Sequence, residues 1–404
     1  MSRHEITFPN KEGIRLSAKL ELPAGGQRHG YAIFAHCFTC SKNLHAVRAI
    51  SSALTLNGFG VLSFDFTGLG SSEGDFSDTN FSSNVDDLVY AAKFLEAEYE
   101  APTLLIGHSL GGAAVLYASI QMPSVKAIAT IGAPSNPAHV AHLFENSIDD
   151  IEASGEAKVN IGGRPFTIKK QLVDNLREHQ LPEVMKGLRK STLFLHSPQD
   201  TTVGIENAAA LYAAAHHPKS FISLEGADHL LSRKADAIYA GNVIASWANR
   251  YIPLKDEEPL MSDAALVAKI GGKSSAFATQ IQAGKHSFTA DEPENVGGLD
   301  TGPSPYQLLM GALAACTVIT LRMYADRKKW PLNEVLVHIN HSTGHMDDCE
   351  KCEDTTGKTS KFERIIELTG QLDESQRGRL LEIANKCPVH KMLEAGAVVE
   401  TKLQ

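Results

Sequence analysis

Continuous apolar runs recur as far as Tyr251: Ile14–Leu22, Tyr31–Cys37, Gly60–Phe66, Thr103–Ser109, Val125–Gly132, Ser191–Ser197 and Lys219–Gly226. Each is short enough for a strand and mostly apolar, so the runs read as strand candidates. Stretches with apolar positions three and four apart separate them: Leu44–Asn57, Asn84–Glu100, Ser109–Met122, Val203–His216 and Arg233–Tyr251. Strand and helix in alternation predict an α/β fold with a doubly wound, mostly parallel sheet. The segment 136–190 breaks the rhythm. It is charged and largely helical in pattern, contributes no clear strand to the sheet, and is expected to form a cap inserted over it.

Beyond Tyr251 the pattern changes. IPLKDEEPLMSDA is acidic and carries prolines, as a linker does. Two β-like runs, LVAKIGG and AFATQIQAGKHSFTA, precede a long apolar helix over Tyr306–Lys329. The strands LNEVLVHIN and FERIIELTGQL, a helix over Glu374–Lys386 and a last strand AVVETKL complete the expected order, an α+β arrangement. The expected domains are 1–252, with the cap at about 136–190, a linker at 253–263, and a second domain at 264–404.

Composition changes this picture little. The 404 residues are 43% hydrophobic and 21% charged, as in a globular protein with a full core. The net charge of −9 is spread evenly, with 21 Lys+Arg against 25 Asp+Glu through Ile252 and 17 against 22 after it. An even, mildly acidic balance argues against nucleic acid or an anionic membrane as the main partner. The apolar run Gln307–Leu321 is short of the ~20 residues that span a bilayer and is expected to be a buried helix. The opening MSRHEITFPNKEG lacks the apolar core of a signal peptide, so a reducing cytoplasm is the expected location and structural disulfides are not expected.

Candidate chemistry sits at the ends of the apolar runs. Gly107-His108-Ser109-Leu110-Gly111 fits G-x-S-x-G, between the strand TLLI and the helix GGAAVLYAS. A strand–turn–helix there lifts a serine hydroxyl above the sheet edge, and the amide of the next residue, Leu110, faces an oxyanion. A serine needs a base, and that base needs an orienting acid. Asp200 ends STLFLHSPQD and His229 ends KSFISLEGADH, giving the chain order Ser…Asp…His. Asp200 could instead cap the following helix, and His196, His216 and His217 compete for the role of base.

The region Glu5–Tyr251 resembles the α/β-hydrolase family, through this elbow, through His36-Cys37-Phe38 where the family commonly carries His-Gly-Phe, and through GLGSSEGDFS after SFDF. The resemblance implies a serine hydrolase in which Phe38 supplies the second oxyanion amide. Cys37 departs from the family's glycine. Cys37 and Cys40 read as loop residues first, with a redox clip as the lesser reading. Asp65, Ser71 and Ser72 read as turn residues rather than catalytic ones.

The region Ala264–Gln404 resembles the OsmC/Ohr family, through GPSPYQLLMGALAACT around Cys316 and LLEIANKCPVHKML around Cys387. That resemblance implies an intertwined homodimer and reduction of hydroperoxides, with Cys316 attacking and Cys387 resolving. Lys386, His390 and Lys391 would favour the Cys387 thiolate. The family's activating Glu is replaced by Tyr306, and the nearest Arg to Cys316 is Arg322. His341, His345, Cys349 and Cys352 have partial zinc-ligand spacing, but a solvated excursion between two strands is the simpler expectation, and no metal or other cofactor is assigned.

The expected function is a serine carboxylesterase acting on short- to medium-chain acyl or aryl esters, with a dimerising OsmC-like domain. The other readings kept open are a thiol peroxidase in the C-terminal domain and a non-catalytic lid or interaction module there.

Overall fold

The computed structural model describes residues 2–23, 29–253, 260, 262–270, 277–345 and 358–403. Its contacts divide the chain into two units, Met1–Gly302 and Pro303–Gln404.

In the first unit the apolar runs become strands. These are β1 (Ser2–Pro9), β2 (Arg15–Leu22), β3 (Gly30–Ala35), β4 (Phe59–Phe64), β5 (Pro102–His108), β6 (Ala127–Ile131), and, after a β7–β8 hairpin (Glu156–Ile161 and Arg164–Lys169), β9 (Ser191–His196) and β10 (Lys219–Ser223). The sheet order is β1-β2-β4-β3-β5-β6-β9-β10. β1 and β2 are antiparallel additions, and every later pairing is parallel. β3, β4, β6 and β9 are buried along their whole length, which is why their sequences show no polar alternation. β1 was not foreseen. Its SRHEITFP alternates charge with apolar residues because it lies at the edge, paired only with β2.

Helices cover both faces. α1 (His45–Leu56) and the last helix of the fold, α8 (Lys234–Ala248), pack Val47, Ile50 and Ile244 on one face. α2 (Phe81–Glu98) and α3 (Leu110–Ala118) pack Leu88 and Val115 on the other. α2 begins three residues earlier than its periodicity suggests, because Asn80 and Ser83 form a reciprocal capping box. The chain leaves β3 toward β4 on one side and returns to β5 on the other. The loops after β3 and β5 therefore meet at a reversal of strand order, where open α/β sheets place their ligand crevice.

The cap over 136–190 adds no strand to this sheet. It is nevertheless not wholly helical: the β7–β8 hairpin sits among α4 (Ile148–Ser154), α5 (Lys170–Glu178) and α6 (Leu181–Gly187). Gly162 and Gly163 both take positive φ at its turn, the conformation a tight hairpin needs. α7 (Glu206–Ala214) follows β9, and a three-stranded sheet of β11 (Leu266–Lys269), β12 (Thr279–Ala283) and β13 (His286–Ala290) ends the unit.

The second unit comprises α9 (Pro305–Lys328), an antiparallel pair β14 (Leu332–His345) and β15 (Lys358–Gly370), α10 (Glu374–Ala384) and α11 (Pro388–Ala395). α9 opens with a Ser304/Gln307 capping box. It is long and apolar enough to cross a membrane by length and composition. The expectation that it is buried is corrected: within the protomer only Leu313, Thr317, Leu321 and Ala325 are buried, and the rest of the helix is half-buried or exposed. The expected strand AVVETKL is also corrected. Among the described residues Gly396–Leu403 forms no strand, and Val398 and Val399 are 93% and 84% exposed. A strand needs an edge to pair with, and this segment meets none.

Candidate active site

The turn between β5 and α3 holds Ser109 at φ 55° and ψ −126°, a conformation that costs an L-residue about 1–3 kcal/mol. Two hydrogen bonds hold it there. The Ser109 amide donates to the Ile131 carbonyl at 2.8 Å, and the Gly112 amide donates to the Ser109 carbonyl at 2.8 Å. Gly111 is required by space, since a Cβ there would lie 2.4 Å from the carbonyl oxygen of His36 and 2.5 Å from that of Ala35. That close approach sets the start of α3 against the loop following β3.

The structure brings Ser109, Asp200 and His229 together. His229 Nε2 lies 3.0 Å from Ser109 Oγ, and His229 Nδ1 lies 2.7 Å from Asp200 Oδ2. Asp200 is buried, and its Oδ1 accepts the amides of Thr202 and Val203, each at 2.9 Å. Burial alone would raise its pKa. The imidazole and those amides outweigh burial, and the carboxyl is held below the usual carboxylate range. Its contribution to stability is therefore complete above the ordinary carboxylate pKa and is lost as pH falls through the depressed one. Capping the loop and orienting His229 turn out to be compatible, because the two carboxylate oxygens divide the tasks. Gly132, at φ 55°, makes room for the pair, since a Cβ there would stand 3.3 Å from both Asp200 Oδ2 and His229 Nδ1.

Two of the competing histidines, His196 and His216, are engaged elsewhere. His196 donates Nε2–H to the Val203 carbonyl at 2.7 Å and so closes the loop that carries Asp200. His216 Nε2 meets the Lys186 carbonyl at 2.7 Å. His108 was not singled out by sequence. It is buried, its pKa is pushed down to about 3 by burial and then by His229, and it donates Nε2–H to the His229 carbonyl at 2.7 Å. A neutral imidazole thus fixes the backbone of the candidate base.

The loop after β3 is more heavily braced than expected. Cys37 and Cys40 are joined in a disulfide, which corrects the expectation of no structural disulfide and the reading of the pair as loop residues first. The Cys40 amide also donates to the Cys37 carbonyl, closing a turn around Phe38 and Thr39. Asp65, fully buried, takes the Lys42 ammonium at 2.7 Å and the amides of Lys42 and Ser71 at 2.6 and 2.9 Å. Ser72 Oγ donates to the Asp65 carbonyl at 2.5 Å and accepts the Ser17 amide at 2.9 Å, so Asp65, Ser71 and Ser72 are structural, as read. From the cap, Arg164 donates to the Thr39 carbonyl. A chain of rings, Phe38–Phe76–Phe166, runs beside that contact with centroids 5.5 and 5.1 Å apart.

Ser109, Asp200 and His229 after the parallel strands β5, β9 and β10, with a cap inserted before β9, set the comparison with known proteins. The esterase domain of a Rhodothermus marinus protein shares 53% identity over 62% of this chain and the whole of that domain, with a TM-score of 0.53. The chain belongs to the α/β-hydrolase family. Est1E from Butyrivibrio proteoclasticus with bound ferulic acid (19% identity, 61% of this chain, 99% of that one, TM-score 0.51) and mouse α/β-hydrolase domain-containing protein 10 (21%, 61%, 99%, 0.51) share the fold. A family model described as serine aminopeptidase, S33, matches residues 40–149, and one described as OsmC-like protein matches 298–402. No curated protein matches the chain.

In the OsmC-like part of the hydrolase, Cys387 is buried at the N-cap of α11, where its Sγ accepts the His390 amide at 3.4 Å. Cys316 is half-buried on α9, and both thiols are free. Thr317, beside Cys316 in sequence, lies 3.8 Å from Cys387 Sγ. Arg322 is directed to the carbonyls of Leu332 and Asn333. Arg364 of β15, unforeseen, donates to Thr317 Oγ1 at 2.8 Å and to Asn385 at 2.7 Å, between the two cysteine-bearing turns. Its distance in sequence hid it. Tyr306 stacks on His341 at 4.6 Å, and His341 also tilts against Phe362. Cys349, Cys352 and the side chain of His345 lie outside the described residues. Among the described residues no cluster suits a metal ion.

Proposed function

We propose that this hydrolase, a carboxylic ester hydrolase, cleaves short- to medium-chain acyl or aryl esters through an acyl-enzyme on Ser109. The observation that carries the reading is the continuous line from Ser109 Oγ through His229 to Asp200, at 3.0 and 2.7 Å. His229 takes the hydroxyl proton as Oγ attacks the ester carbonyl, and returns it to the leaving alcohol. Asp200 holds Nδ1–H and stabilises the imidazolium. The amides of Leu110 and Phe38 receive the oxyanion. Water, deprotonated by the same imidazole, then releases the acid. The ring contacts of Phe38 with Phe76 and of Phe76 with Phe166 make an apolar stretch that begins at the proposed oxyanion loop, which supports an acyl or aryl group of modest size. A nitrophenyl ester series of rising chain length tests the reading. Rates should peak at short to medium chains, with a burst of one nitrophenol per active site; a maximum at long chains, or no burst under any condition, counts against it.

The C-terminal unit is proposed to form a homodimer. Ile319, Met323 and Ile365 are 56%, 68% and 52% exposed, apolar surface that a dimer seam would cover. Light scattering on the full chain should give twice the protomer mass; a monomer at micromolar concentration would reject the dimer.

A second reading, thiol-dependent hydroperoxide reduction, is favoured by the nearness of the Cys387 turn to the Cys316 segment. The Cys316 thiolate would attack the peroxide oxygen and release the alkoxide as alcohol. The sulfenic acid would then condense with Cys387 to a disulfide and water, and an external dithiol would restore both thiols. Cys316→Ser should abolish hydroperoxide consumption and leave ester hydrolysis within about twofold, since it lies outside the first unit; undiminished consumption in that variant rejects the thiol mechanism.

A further inference from the structure

The loop that presents Phe38 is held in a backbone conformation that does not maintain itself. Thr39 has φ 61°, left-handed and unfavourable for a β-branched residue. Such a residue persists only where its surroundings over-determine it. Here four restraints converge on the loop. The Cys37–Cys40 bridge closes the turn covalently. Arg164, on the cap hairpin, holds the Thr39 carbonyl. Asp65 holds the Lys42 amide at 2.6 Å, just beyond the bridge. On the other side, His36 Nδ1–H donates to the Cys37 carbonyl at 2.8 Å, its ring kept neutral by burial.

We propose that the Cys37–Cys40 bridge, assisted by Arg164, is a positioning device for the Phe38 amide, so that ester hydrolysis is fast in the oxidised enzyme and slows on reduction. The proposal rests on Phe38 as an oxyanion donor. An oxyanion donor acts through pre-set aim, and its loss typically costs about 10²- to 10³-fold in kcat. Opening the bridge lets Thr39 relax toward negative φ and shifts the adjoining peptides, that of Phe38 among them. The triad is untouched, because Ser109, Asp200 and His229 are held by α3, by the amides after β9 and by His108.

The two sulfurs differ in access. Cys37 is 5% exposed, and Cys40 is half-buried. A thiolate of a small dithiol attacks the Cys40 sulfur, and Cys37 departs as a thiolate and takes up a proton. The second thiol of the reductant then displaces Cys40 and closes the reductant's own disulfide. Two electrons and two protons pass to the protein. A hydroperoxide or diamide reverses the step.

The test compares the full chain, oxidised beforehand with diamide, with and without dithiothreitol, in steady-state hydrolysis of a nitrophenyl ester. Reduction should lower kcat by about tenfold or more with KM within about twofold, and reoxidation should restore it. The Cys37→Ser/Cys40→Ser variant should start at the low kcat and no longer respond to the dithiol. Arg164→Ala should lower kcat in the same sense by less. A trifluoromethyl ketone, which binds as the tetrahedral oxyanion, should lose affinity on reduction in parallel with kcat/KM, while a product carboxylate should not; a merely structural bridge would not separate the two. Unchanged kcat with both thiols shown free by alkylation and mass measurement overturns the proposal, as does wild-type kcat in the double variant. Should that variant fail to fold, the reduction of the wild-type enzyme decides. A Ser109→Ala enzyme that keeps full activity would instead overturn the esterase reading, whereas Ser109-dependent but dithiol-indifferent hydrolysis overturns this inference alone.

Discussion

Ser109→Ala is expected to lower kcat for ester hydrolysis by about 10⁴- to 10⁶-fold, the range seen when the nucleophile of such a triad is removed. The chemistry has no substitute for it. Thr39 is buried and donates its hydroxyl to the Phe38 carbonyl, and the Ser135 hydroxyl donates to Asn207 at 3.0 Å. The substitution removes one oxygen from a half-buried turn and leaves the two backbone bonds that hold position 109. Alanine tolerates φ 55° no worse than serine does, so thermal stability should change by less than about 1 kcal/mol. Activity measured with a nitrophenyl ester, beside a thermal melt, separates the two quantities. Activity within tenfold of wild type would mean that another group attacks the ester. A serine-directed fluorophosphonate should add one phosphonyl group to the wild-type chain and none to the variant.

Asp65→Ala is expected to be the most damaging single change to stability, at about 3–5 kcal/mol. The reason is what it leaves behind. The Lys42 side chain is 2% exposed, and without Asp65 its ammonium keeps only Ser17 Oγ, at 2.9 Å. The amides of Lys42 and Ser71 lose their acceptor in the same stroke. Replacing both charges avoids the stranded cation, so Lys42→Met combined with Asp65→Ala should recover part of the loss, although Asp65→Ala alone does not. Because the same carboxylate anchors the loop that carries Phe38, the surviving folded enzyme should also show a reduced kcat at temperatures well below its melt. Urea unfolding followed by circular dichroism measures the stability. A loss under about 1 kcal/mol would show that water reaches Lys42 and that the pair is not sealed in the interior as its exposure indicates.

The placement of several candidate residues could be read in advance because the candidate site lies at the ends of strands. Ser109, Asp200 and His229 each follow an apolar run, and a parallel sheet delivers the ends of such runs to one edge. Their chain order and local turn residues therefore carried the reading without distances. The sequence contexts of Cys316 and Cys387 were legible through their resemblance to the OsmC/Ohr family, and the structure places Cys316 within α9 and Cys387 just before α11. β1 escaped notice because an edge strand alternates and has no apolar run, and the β7–β8 hairpin because its short strands mix charged and apolar residues without an apolar run. AVVETKL misled for the converse reason: an apolar, β-branched segment has the composition of a strand whether or not an edge is there to receive it.

Local pattern was thus sufficient for the α/β and α+β halves, for the elbow, and for which serine, aspartate and histidine to consider, because periodicity and turn chemistry act over a few residues. Long-range packing was needed to show that His108 holds the backbone of His229, that Arg164 reaches the loop of Phe38, that Asp65 neutralises Lys42, that Arg364 stands beside Thr317, and that Cys37 and Cys40 are bonded. All but the last join residues far apart in the chain. Their worth depends on burial, which excludes water and makes each polar contact obligatory, and burial is a property of the packed whole that no short stretch of sequence carries.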